Sequence, residues 1–254
     1  MNLFWIFNAR RLKHYLIMFT AALFAVGIAW AERDNLSIFT SGKSGPYATY
    51  KVDTTEKKLA LTFDISWGEE RTGPILDILE KKGVKKATFF LSSPWSETHP
   101  EIVKRIQKMG YEIGSHGHKH ANYSSLNDEE IQTQIAKADT ILKELTGTSP
   151  KLIRTPNGDF DKRVLKIADK MGYSVIQWDT DSKDWMNPGA PQIVDNVVKK
   201  AHPGDIVLLH ASDTCKQTHL ALPLIIDQLR EKGYEFVSVS ELIAGAKTNT
   251  NLVQ

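Results

Sequence analysis

"LALTFDISWGEE", residues 59–70, marks the point where this chain changes character. The run "LALTF" (59–63) is apolar and β-prone, and it releases an aspartate, Asp64, at its end. A short run of this kind, bounded by polar and turn residues, reads as a strand buried on both faces. The pattern recurs at "KATFFL" (86–91), "YEIGS" (111–115), "KLIR" (151–154), "SVIQW" (174–178), "DIVLLH" (205–210) and "EFVSV" (235–239). Helical stretches alternate with these runs. One opens at Pro74 and ends near Gly83. Another has Pro100 in its first turn and stops at Gly110. A third starts from Asn127 and repeats Ile131, Ile135, Ala138, Leu142 and Leu145 until Gly147. Early proline, early acids and late glycine are the expected end signals. Strands in strict alternation with helices predict an α/β fold with a parallel sheet. For this length the expectation is an incomplete β/α (TIM-like) barrel of about seven parallel strands. An open doubly wound sheet is the alternative.

In that frame the polar residues fall into register. Asp64 follows "LALTF", His116 follows "YEIGS", Arg154 ends "KLIR", Asp179 and Asp181 follow "SVIQW", and His210 ends "DIVLL". Five strands each release a chemically capable residue at the C-terminal end, where β/α barrels build their active sites.

The remaining composition narrows the choice. The chain has 254 residues, a formal charge of +2 and one cysteine, Cys215. The charge gives no argument for nucleic acid. One cysteine excludes an intramolecular disulfide and a cysteine-based zinc site; Cys215 reads as a loop thiol. Arg10, Arg11, Lys13 and His14 precede an uncharged apolar run from Tyr15 to Trp30. With Ala29-Trp30-Ala31 behind it, residues 1–31 read as an export signal or an uncleaved membrane anchor. The rest is then placed outside the cytoplasm, secreted or anchored at the cell envelope. Residues 32–56 read as a linker, 57–246 as the folded domain and 247–254 as a tail.

"GSHGHKH" (114–120) places three histidines in five positions. Imidazoles at i and i+4 can reach one ion, which then needs another ligand. Lys119 excludes the H-E-x-x-H protease arrangement. Asp64 as base, His210 as acid and a histidine pair for a Lewis-acid metal are the equipment of metal-assisted acyl hydrolysis. Backbone N–H groups of the Asn157-Gly158 turn face a developing oxyanion in that scheme. Trp67, Trp95 and Trp185 sit past strand ends, where an aromatic face suits a sugar ring. Each feature has a plainer reading: a histidine-rich surface loop, a satisfied core histidine at 210, an Arg154–Asp184 structural ion pair, and tryptophans that merely cap the barrel.

Taken together, these residues resemble the polysaccharide deacetylases of carbohydrate esterase family four, the NodB-homology domain, over roughly residues 57–246. "TFD" resembles the first motif, with Asp64 as the base. "HGHKH" resembles H-[ST]-x-x-H, which puts His116 and His120 at metal positions and leaves His118 out. "RTPNG" resembles R-x-P-x-G, where Arg154 orients the base and Asn157 stabilises the oxyanion. "DSKDW" resembles the fourth motif, with Asp184 tuning the acid and Trp185 lining the acetyl pocket. "LLH" resembles the fifth, with Leu208 beside that pocket and His210 as the acid. The resemblance implies a distorted barrel, a divalent metal (usually zinc) and an N-acetylated glycan substrate, for which the export signal selects peptidoglycan. Trp67 joins the expected sugar contacts, and a monomer is expected. "TFDISWGEE" and the leader look most like the sporulation-associated PdaB branch, which places the protein in the spore-forming compartment. Two departures stand out. Ile65 occupies the position of the family's metal-binding aspartate, and Gly117 replaces the small hydroxyl residue. The alternative to an active deacetylase is therefore a silent relative that binds glycan or acts structurally.

Overall fold

The computed structural model describes residues 45–245. The expected leader, most of the linker and the tail lie outside the described residues. Among these residues no helix is long and apolar enough to cross a membrane.

The strands are β1 (Ala48–Thr49), β2 (Lys58–Ile65), β3 (Thr88–Leu91), β4 (Glu112–Ser115), β5 (Leu152–Ile153), β6 (Ser174–Ile176), β7 (Thr180–Asp181), β8 (Ile206–His210) and β9 (Glu235–Phe236). The helices are α1 (Thr72–Lys81), α2 (Ser93–Thr98), α3 (Pro100–Lys108), α4 (Asp128–Thr146), α5 (Lys162–Lys170), α6 (Ala190–Val198), α7 (Thr218–Glu231) and α8 (Val239–Gly245). The sheet runs β1-β6-β5-β4-β3-β2-β8-β7, with β9 added to β2, and every strand pair is parallel. The two ends of that order do not pair with each other, so the barrel is incomplete, as the strand count predicts. All seven expected strands are present.

Two strands were missing from the sequence reading, and both are only two residues long. β7 follows β6 closely but pairs with β8. β1 lies in the segment read as linker: Ala48 and Thr49 pair with Val175 and Ile176, and Val52 donates to the Gly204 carbonyl at 2.8 Å. The sheet therefore begins before residue 57. A two-residue strand carries too little alternation to stand out from a Gly- and Ser-rich approach.

α4 is the clearest case of local sequence fixing structure. Asn127 accepts from the Glu130 N–H at 2.9 Å, and Glu130 accepts in return from the Asn127 N–H at 2.8 Å. This reciprocal cap satisfies two orphan donors, and Ile131, Ile135, Ala138 and Leu142 form the buried face.

β2 is the central strand, and its period of two sorts the chemistry. Leu59, Leu61, Phe63 and Ile65 pack into the apolar layer with Ile75, Leu79, Val103 and Ile226 of the helices. Thr62 and Asp64 alternate with them. The Thr62 hydroxyl and the Asp64 carboxylate instead meet a guanidinium from β5's end.

Candidate active site

That guanidinium belongs to Arg154, the largest fully buried side chain among the described residues. Its Nη1 donates to Asp64 Oδ1 and to Thr62 Oγ1, both at 2.8 Å. Nη2 donates to the Gln177 carbonyl at 2.9 Å and Nε to the Ile176 carbonyl at 3.4 Å. The cation lies 4.3 Å from the Phe90 ring centroid. A buried arginine needs this full set of partners to offset its desolvation. Asp64 is 4 % exposed. Burial opposes its charge, but Arg154, His116 and His210 outweigh it and hold the carboxyl below its ordinary value.

Arg154 also orients a histidine. Its backbone carbonyl lies 2.8 Å from His116 Nδ1. A carbonyl only accepts, so Nδ1 carries the proton and Nε2 keeps its lone pair. Nε2 lies 3.9 Å from Asp64 Oδ2. Burial, only partly offset by Asp64, pushes His116 down to about 4. His120 stands at the rim, its ring 5.6 Å from that of His116 and 5.0 Å, edge-on, from that of Trp67. His118 turns aside to the Ser93 hydroxyl at 2.9 Å.

On the strand beside Asp64, in direct register with it, stands His210. Asp184 holds it twice: Oδ1 meets the ring Nδ1 and Oδ2 accepts the backbone N–H, both at 2.7 Å. The Thr218 hydroxyl donates to the same Oδ2 at 2.7 Å. Burial works against the imidazolium, yet Asp184 and then Asp64 prevail and raise His210 above its ordinary value. The Arg154–Asp184 ion pair entertained from sequence does not form. Asp184, just past β7, pairs with His210 on the adjoining β8, whereas Arg154 at the end of β5 reaches past β4 and β3 to Asp64 on β2.

A cleft of about 350 Å³ opens above these groups. It is lined by Asp64, Trp67, His116, His120, Asn157, Trp185, Leu208 and His210, so eight of the ten expected site residues meet there. Arg154 and Asp184 stand behind it. Asn157 adopts a left-handed φ of 59° in its turn, a conformation uncommon outside glycine and typical of functional sites. Trp67 and Trp185 are 43 % and 53 % exposed, as a stacking surface requires. Trp95 does not join them. It is buried, donates to the Gly68 carbonyl at 2.8 Å and stacks on His99. Asp179 is also elsewhere, bound to Lys51 at 2.8 Å and to His202 at 2.7 Å.

Sequence reasoning missed Trp178, Ser212 and Thr214 on the cleft wall, and Thr62 and Thr218 behind it. The threonines carry no local signal, because each matters only through a partner 92 or 34 residues away. Cys215 lines the cleft, but burial pushes its thiol up to about 12, so it supplies no thiolate.

Gly117 has a structural reason. It takes φ +76°, and a Cβ there would collide with the Tyr123 hydroxyl. The family's hydroxyl side chain has no room at this position while Tyr123 stands where it does.

The chain matches the polysaccharide deacetylase family over residues 51–176. It is 36% identical to a peptidoglycan-N-acetylglucosamine deacetylase of Bacillus cereus, with 86% of this chain and 76% of that one covered. The chain belongs to the polysaccharide deacetylase family. It is also 32% identical to the peptidoglycan-N-acetylmuramic acid deacetylase PdaA of Bacillus subtilis, over 77% of this chain and 75% of that one. Among solved structures it resembles a family-four pseudoenzyme from Bacillus anthracis, with TM-score 0.74 and 33% identity over 81% of this chain and 72% of that one. Membership makes the chain a relative of hydrolases that act on cell-wall glycan, and also of a member without activity.

The family implies a metal, and the donor set fits it only in part. His116 and His120 offer nitrogens, but the family's second carboxylate is replaced by Ile65, fully buried in the helix-side core, and the carboxylate oxygen near His116 Nε2 is Asp64 Oδ2, at 3.9 Å. Among the described residues the group with ligand atoms all within 4.8 Å of one another is Asp184, His210 and Cys215. Its Asp184 oxygens are already engaged by His210 and Thr218. A catalytic zinc normally has three protein ligands and a water, and the residues present fall short of that.

This makes a prediction for Ile65→Asp. A carboxylate in that apolar layer should lower the metal-free protein's stability by roughly 3 kcal/mol. Zinc should restore part of the loss by binding the folded state, and calorimetric titration should show tighter zinc binding than in the natural protein. Unchanged zinc affinity would mean that residue 65 cannot turn toward the histidines.

The two site histidines also titrate apart. In the metal-free protein, NMR should find His116 neutral down to about pH 4 and His210 charged above its ordinary value. The signs of their effects on stability differ. His210, raised by folding, stabilises fully below the unfolded value of about 6.5, and that is lost as pH rises through its folded value. His116, lowered by folding, costs stability progressively as pH falls from about 6.5 toward 4.

Proposed function

We propose that the protein is a hydrolase that removes N-acetyl groups from the amino sugars of peptidoglycan. The observation that carries this reading is the pair on adjacent strands: Asp64 held as a carboxylate and His210 biased toward imidazolium. Groups whose pKa values are driven apart are the mark of a base and an acid with separate duties. Asp64 takes the proton of the attacking water through Oδ2, since Oδ1 is tied to Arg154. The Asn157 backbone N–H meets the oxyanion of the tetrahedral intermediate. His210, backed by Asp184, protonates the departing amine. Trp67 and Trp185 hold the sugar, and Leu208 lies beside the acetyl group.

Asp64 is depressed below its ordinary value and is thus a modest base on its own. A divalent ion such as zinc, where bound by His116 and His120, would acidify the water and polarise the carbonyl. We place the protein outside the cytoplasm at the cell envelope, by way of its N-terminal segment. The spore-forming compartment and the PdaB branch follow from "TFDISWGEE" and the leader, with the protein acting as a monomer.

A second reading is supported by Ile65 and by the likeness to a pseudoenzyme: a glycan-binding relative that keeps the cleft and lacks turnover. Acetate release from peptidoglycan fragments by the purified protein, with its metal content measured beside it, separates the two. Binding without acetate, even with zinc supplied, would establish the silent form.

A further inference from the structure

The loop after β2, residues 66–71, carries Trp67 into the cleft and is held by the segment that follows β8. Ser66 donates its backbone N–H to the Ser212 hydroxyl at 2.9 Å. The Trp67 carbonyl accepts from the Asp213 N–H at 3.3 Å, and its indole Nε1 donates to Thr214 Oγ1 at 3.1 Å. At the centre is the Asp213 carboxylate. It accepts from three successive backbone N–H groups: Glu69 at 2.9 Å, Glu70 at 3.0 and 3.2 Å, and Arg71 at 2.9 Å. Gly68 takes φ +95°, and a Cβ on it would collide with that carboxylate, so the loop is shaped closely around the acid.

Asp213 does not line the cleft, although Ser212, Thr214 and Trp67 do. Trp67 in turn lies edge-on to His120, whose ring also neighbours that of His116. We propose that Asp213 is a positioning residue: by fixing the 66–71 loop it sets Trp67 against His120 and presents it as the platform for the sugar. The loop's anchor begins two residues after His210. It therefore ties the acid's strand to the ligand-histidine side of the cleft, across the incoming glycan. An ionised carboxylate shared by three amide donors is stronger than neutral partners would be. Its removal leaves those donors to water and the tryptophan to several rotamers. The part of this that concerns glycan rests on the function proposed above.

The test uses the full-length chain labelled with ¹⁵N at its indoles, with the Trp67 resonance assigned by Trp67→Phe. In Asp213→Ala the Trp67 indole signal should move or broaden. Binding of chitotetraose should weaken about tenfold, the scale of one rotamer-rich contact that is no longer pre-ordered. Asp213→Asn keeps one acceptor oxygen and should fall between; it carries the comparison if the alanine variant does not fold. In a Trp67→Ala background the Asp213 change should cost no further affinity, because it acts through that ring. A Trp67 resonance that stays put overturns the proposal, as does an undiminished affinity loss in the Trp67→Ala background. If the unsubstituted chain does not bind chitotetraose, the glycan reading of the cleft falls, and the indole resonance alone decides the clamp.

Discussion

Replacing Arg154 by methionine is expected to lower the stability of the protein by roughly 3–5 kcal/mol at neutral pH, measured by urea unfolding. The side chain is fully buried, and its loss strands the Asp64 carboxylate and the Thr62 hydroxyl together. Breaking a buried pair costs more than the pair contributes, because one charge remains without a partner. The pH dependence separates this from simple loss of packing. In the natural protein the folded carboxyl lies below its unfolded value, so Asp64 stabilises above about pH 3.9 and loses that as pH falls through its folded value. Without Arg154, burial loses its largest opponent, only the two histidines remain against it, and the folded value is expected to rise above the unfolded one. The variant then loses stability as pH rises through that interval. Its deficit should shrink in acid as Asp64 takes up a proton. A deficit constant from pH 7 to pH 3.5 would mean that the guanidinium acts by filling volume and not by its charge.

The same residue shows why so much of this site was legible and where legibility stopped. A parallel strand must leave its sheet at the C-terminal end, so a polar residue there stands out against the apolar run before it. Asp64, Arg154 and His210 were each visible for that reason. The order of strands around the barrel is not written locally, and so the pairing could not be read. Arg154 was set against Asp184 as one possible pair, whereas the topology brings it to Asp64, 90 residues away. Trp95 and Asp179 also sit past strand ends, and the same rule placed them near the cleft. Helix α2 turns Trp95 inward, and the short β7 carries the chain onward to β8, leaving Asp179 with Lys51 and His202. A two-residue strand has no sequence signature, yet β1 and β7 decide where the barrel is open.

Asp64→Asn and His210→Ala should each lower acetate release about 10²–10⁴-fold, the usual share of a positioned acid or base. The Michaelis constant should change far less, since Trp67 and Trp185 make the sugar contacts in this scheme and neither touches Asp64 or His210 through a hydrogen bond. The rate profile supplies the sharper test. Its acid limb should lie below the ordinary carboxylate range, because Arg154 and two histidines hold Asp64 ionised. Its alkaline limb should lie above the ordinary imidazole value, because Asp184 retains the His210 proton. Asp184→Asn removes that support while leaving a hydrogen-bonding side chain, so the alkaline limb should move down and the acid limb stay nearly where it was. Such a one-sided displacement is what two groups with separate duties would give. If both limbs moved together, the base and the acid would have to be treated as one coupled unit. If either single variant kept near-natural turnover, that residue would leave the mechanism.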